Sequence, residues 1–157
     1  MVNVRHQALR AALAVLAALV LGTVAGSVIQ TQFNLLALVR IGGEVTLTQW
    51  LVVTLQDIAG FGPLFAILLA VTLAAALPVA GVTARLLGGW RRSLMALAGG
   101  GGLLVAFITI DALAPMPTLI AATRSLPGTI AMLAPGALAG WLFAHLTRAV
   151  HATEGRP

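Results

Sequence analysis

The chain has 157 residues, of which 60% are hydrophobic and 8% charged, and it carries a formal net charge of +5 with a mean hydropathy of +1.04. An ordinary soluble domain holds about a quarter charged residues, so this composition excludes one and leaves room for a single compact membrane unit. With no cysteine, disulfide exchange, thiolate catalysis and cysteine-ligated metals or clusters are excluded as well.

In chain order, apolar runs of about a membrane's thickness occupy residues 11–29, 61–84, 93–113 and 126–146. A hydrocarbon core of ~30 Å takes ~20 helical residues at 1.5 Å each, so the pattern predicts an all-α integral membrane protein with four spans. The first run follows Arg5 and Arg10 and ends near Ala25-Gly26-Ser27, an arrangement that imitates a cleaved signal peptide. Its uncharged stretch exceeds the ~7–15 residues of a signal core, and it is read as a retained span. Ala18, Gly22 and Gly26 recur every four residues within it, a small-residue face that lets another helix backbone approach closely.

Residues 30–60 are the least membrane-like part. Gln30, Gln32 and Asn34 are polar, and Gly42-Gly43 predicts a turn. Beyond it Leu47, Trp50, Leu51, Leu55 and Ile58 recur with helical spacing, which predicts a separate amphipathic helix over 46–58, lying in the outer interface with Trp50 at headgroup depth. Gly60-Phe61-Gly62-Pro63 is read as breaking that helix and opening the second span. Gln30, Gln32, Asn34 and Trp50 form the expected contact surface for a partner.

Pro78 and Pro135 fall inside the second and fourth spans, where each removes a backbone hydrogen bond. The third span contains Gly99-Gly100-Gly101-Gly102, a run suited to close helix crossing, local unwinding or a hinge. It is not a phosphate loop, because no GxxxxGK[ST] pattern is present. In the fourth span Gly136, Gly140 and Ala144 repeat the four-residue small spacing. Asp111 at the end of the third span and Arg124 before the fourth are expected to pair across the loop Ala114-Pro115-Met116-Pro117, with Asp57 joining them in an outer polar cluster.

Charge placement orients the spans. All nine cations are arginines: Arg5, Arg10, Arg85, Arg91, Arg92, Arg148 and Arg156 fall on one side, and only Arg40 and Arg124 on the other. The positive-inside rule then places both termini in the cytoplasm. Nucleic-acid binding is not expected, since no basic surface stands away from the bilayer.

Chemistry has few carriers. His6, His145 and His151 lie on the cytoplasmic side, whereas Asp57, Asp111 and Ser125 lie opposite, so no Ser–His–Asp triad can assemble. A transmembrane haem needs two facing histidines within the bundle, and no cofactor or metal is expected. No span carries a mid-membrane charge of the kind that ion-coupled carriers use; the polar groups there are hydroxyls such as Thr23, Ser27, Thr72 and Thr109. The expectation is therefore a small, non-enzymatic inner-membrane subunit or accessory protein that binds a membrane partner or lipid. The alternative is a small homo-oligomeric channel or transporter.

Overall fold

The computed structural model describes residues 2–113 and 120–147, with side chains from residue 5 onward. These form four α-helices and one short 3-10 turn: α1 Val2–Arg40, α2 Leu47–Leu86, α3 Arg91–Leu113, the turn Ala121–Arg124 and α4 Leu126–Leu146. By length and apolar composition all four helices can cross a membrane. The helices surround a common core in chain order, with α4 returning beside α1. Phe65, Leu69, Leu103 and Met132 are almost wholly buried at its centre.

Only about a third of each span is buried inside the bundle. The outward faces carry Val20, Ile67, Val71, Val105, Ile108 and Ile130, all more than half exposed. Water would penalise such a continuous apolar surface, whereas lipid tails accept it at no cost.

Lengths divide the helices into two pairs. At 1.5 Å per residue, α3 and α4 run ~35 and ~32 Å, close to a hydrocarbon core, whereas α1 and α2 run ~58 and ~60 Å. Level contacts locate the excess. Gly22 lies against Leu69 and the Pro135 carbonyl, and Gly26 lies against Phe65. Thr31 bonds Asp57. Beyond that level α1 and α2 continue together as a helical hairpin for about ten residues each, closed by the turn at Gly42, whose φ of +91° suits glycine. The end of the bundle bearing this hairpin also carries the 3-10 turn. The opposite end carries the α2–α3 turn and Thr147.

This architecture corrects the expected interfacial helix. Residues 46–58 do not lie as a separate element; they are the first third of a continuous α2. Thr46 starts it with a capping box, its hydroxyl accepting from the Gln49 N–H while the Gln49 side chain accepts from the Thr46 N–H. Gly60 and Gly62 stay helical, and Pro63 sits within the helix despite the hydrogen bond it removes. Packing against α1 on both sides of this weak point holds the two halves in line. The four-glycine run is likewise helical throughout α3.

Small residues bring α3 and α4 together. A Cβ at Gly99 would collide with the Gly136 carbonyl, a Cβ at Gly136 with the Gly99 carbonyl, and a Cβ at Gly140 with the Met95 carbonyl. The crossing is thus backbone against backbone. At the opposite end Arg91 spans the same two helices, donating from Nη1 to the Ala144 carbonyl at 2.9 Å and from Nη2 to the Thr147 hydroxyl at 2.9 Å. This satisfies the Ala144 carbonyl, one of those that the end of α4 leaves without intrahelical donors.

Candidate functional site

Polar side chains converge at the hairpin end, and the spacing of hydroxyls along α1 explains why. Thr23, Ser27 and Thr31 repeat every four residues on α1, so one face carries three hydroxyls. That face meets α2 where Gly62 leaves room: a Cβ there would lie 3.4 Å from Ser27 Oγ and 3.6 Å from Thr23 Cγ2. Thr31, fully buried, has its hydroxyl 2.9 Å from the Ser27 carbonyl and 2.7 Å from Asp57 Oδ2, so one proton serves two acceptors. The hydroxyls of Thr23 and Ser27 are buried with no hydrogen-bond partner.

Two further bonds tie this end together. Gln30, 5% exposed, accepts at Oε1 from the Ala122 N–H at 3.0 Å and so fastens the 3-10 turn to α1. Trp50 Nε1 donates to Gln32 Oε1 at 2.8 Å and clasps the hairpin. Gln30 is therefore not the outward contact residue expected of it: its amide is consumed inside the fold. Gln32 and Trp50 spend their strongest polar groups on each other, while Asn34 lines a cavity beside Arg40 and Arg124.

Of the expected Asp57–Asp111–Arg124 cluster, each member stands on a different element: Asp57 on α2, Asp111 near the end of α3 and Arg124 in the 3-10 turn. Asp57 takes its hydrogen bond from Thr31, and neither Asp111 nor Arg124 shares in that bond. Asp111 is half-buried at the end of α3. Arg124, in the 3-10 turn, lines a cavity beside the end of α1. The loop bearing Pro115 and Pro117 lies outside the described residues, as do Arg148, His151 and Arg156. His145 stacks on Trp141 at 5.3 Å on the exposed face of α4. Among the described residues no group of three or more His, Cys, Asp or Glu is placed to hold a metal ion.

Beside exposed polar residues such as Arg40, Glu44, Thr48 and Gln56, the hairpin exposes large apolar ones. Ile41, Leu47, Leu51 and Leu55 are 61–83% exposed, and Leu36, Leu38, Val39 and Val52 are 43–45% exposed. Sequence reasoning assigned Leu47, Leu51 and Leu55 to the apolar stripe of an interfacial helix, but missed that α1 and α2 run on together beyond the Thr31–Asp57 level. It also missed Thr31, although its four-residue spacing from Ser27 was a usable signal. Comparison of the chain with known protein families, with curated proteins and with solved structures finds no match.

Proposed function

We propose that the protein is a small polytopic inner-membrane subunit or accessory protein without enzymatic activity, which uses the α1–α2 hairpin to bind a membrane partner. In this reading the termini are cytoplasmic and the hairpin faces outward, which the arginine distribution supports. The supporting observation is the overshoot of α1 and α2 by roughly 25 Å in total length over α3 and α4, with exposed leucine and isoleucine on the overshooting part. Residues that face lipid need no partner, but apolar residues carried beyond the hydrocarbon do. The hairpin is stiffened by the Thr31–Asp57 and Gln32–Trp50 bonds, which lowers the entropy lost on binding.

A channel or transporter made of several copies is the competing reading. The centre of the single bundle is filled by Phe65, Leu69, Leu103 and Met132, so any path would run between copies. Leu51→Arg and Leu55→Arg separate the two. Each should abolish co-purification of a stoichiometric second protein from the native membrane while thermal stability in detergent stays unchanged. A lone homo-oligomer in the wild type, unaffected by either substitution, would contradict the proposal.

A further inference from the structure

We infer that the α1–α2 seam below the hairpin binds a water molecule between the Thr23 and Ser27 hydroxyls, so that a polar inlet runs from Asp57 into the membrane span. Hydroxyls within helices commonly donate to the carbonyl four residues back. Thr31, Thr54, Thr83 and Thr109 all do so in this protein, at 2.8–3.0 Å. Thr23 and Ser27 do not, although their oxygens are buried, and no other protein group bonds them. Ser27 is enclosed completely. A hydroxyl left unpaired away from solvent is costly, and lipid tails supply no partner.

The two hydroxyls have the spacing that one water bridges. Residues four apart on a helix have Cβ atoms ~5–6 Å apart, and two O–H···O bonds of ~2.8 Å span the same distance. Room comes from Gly62 on α2. A Cβ there would lie 3.4 Å from Ser27 Oγ and 3.6 Å from Thr23 Cγ2 and would meet nothing else of the neighbouring helices within 4 Å. A methyl-sized gap therefore faces both residues, and a larger solute does not fit it. Each hydroxyl can both donate and accept, which gives a water the partners it needs. Neither brings a charge to offset the desolvation of an ion.

The inlet opens at the root of the hairpin. Thr31 continues the same face of α1 one turn above Ser27, and its hydroxyl meets the half-buried Asp57. From Thr31 to Thr23 the face descends eight residues, ~12 Å along the helix. One turn deeper stands Leu19, where the hydroxyls end, and Leu69 closes the seam against Gly22. The site is a blind polar pocket rather than a path across the membrane. The inference does not rest on the partner reading above.

Solid-state NMR of the full chain in liposomes, with magnetisation transferred from water to the protein, tests it. The Ser27 and Thr23 signals should build up several-fold faster than that of Thr72, a buried threonine deeper in α2. Gly62→Ala fills the gap with ordinary contacts and should bring the two signals down to the Thr72 rate. Unfolding in detergent gives a second reading that does not depend on that variant. With one shared water, Ser27→Ala and Thr23→Val should each raise the unfolding constant several-fold, and the double variant should raise it no further, since either substitution breaks the same bridge. Hydroxyls without any partner would instead stabilise the protein when removed, and additively. That outcome overturns the inference, as does transfer to Ser27 and Thr23 that is no faster than to Thr72 or is unchanged by Gly62→Ala.

Discussion

Within the four-glycine run of α3, chemically identical substitutions should have very different consequences. In Gly99→Ala the new methyl group meets the Gly136 carbonyl, a backbone atom that cannot rotate away. In Gly102→Ala it meets Thr72 Cγ2 at 2.7 Å and Ala76 Cβ at 3.3 Å, short side chains with little freedom. A Cβ at Gly100 makes ordinary contacts from 3.4 Å, and one at Gly101 meets nothing within 4 Å. Relieving the Gly99 collision requires α3 and α4 to part by about 1 Å, and a gap of that size forfeits a quarter to a half of each dispersion contact across the seam. Summed over some 20–30 atom pairs at ~0.1–0.2 kcal/mol each, the loss is about 1–2 kcal/mol, within the ~1–3 kcal/mol seen for overpacked cores. Alanine's better helix propensity offsets little of this, because the unfolded chain in a membrane is already helical. Gly99→Ala should thus cost about 2 kcal/mol, or roughly 30-fold in the unfolding constant. Gly102→Ala should cost about 1 kcal/mol, and Gly100→Ala and Gly101→Ala less than about 0.5 kcal/mol. Reversible unfolding in mixed detergent micelles, followed by tryptophan fluorescence, measures all four. Equal effects at Gly99 and Gly101 would refute the backbone-to-backbone crossing.

Other bonds make further expectations. Gln30→Leu leaves the Ala122 N–H without its acceptor and should destabilise by about 1–3 kcal/mol, with faster amide exchange in the 3-10 turn. Thr46→Ala removes the capping box of α2 and should cost about 1 kcal/mol, seen as fraying of residues 47–50 in hydrogen exchange. Arg91→Ala should destabilise by about 1–3 kcal/mol, and Arg91→Lys should recover only part, since an ammonium lacks the fork that reaches both Ala144 and Thr147. Asp57→Asn keeps an acceptor for Thr31 and should fold normally, whereas Asp57→Leu should loosen the hairpin, read as greater protease sensitivity near Gly42-Gly43.

The spans were legible in the sequence because bilayer thickness sets a length that an uncharged run reveals directly. The Gly42-Gly43 turn was also readable, because these glycines stand between the charged Arg40 and Glu44, outside any uncharged run, unlike the four glycines that α3 keeps helical. The break assigned to Gly60–Pro63 was not a break. Local propensity argued for one, but Trp50–Gln32 on one side and Phe65 packed on Gly26 on the other keep α2 helical through it. Gln30 was misread for a related reason. A glutamine at the end of a span looks like an interfacial group, and its true partner, Ala122, lies 92 residues away. Arg124 was matched to Asp111 by closeness along the chain; that it also lines a cavity with Arg40, 84 residues earlier, is something no sequence spacing indicates.

The absence of cysteine makes the most direct test of the account straightforward, since each introduced thiol is unique. Thr48→Cys reports the exposed hairpin, and Leu87→Cys reports the exposed turn between α2 and α3. A membrane-impermeant maleimide applied to intact spheroplasts should label Thr48→Cys, and should reach Leu87→Cys only after permeabilisation. Labelling of Leu87→Cys in intact spheroplasts, with Thr48→Cys protected until lysis, would invert the orientation and contradict an outward partner-binding hairpin.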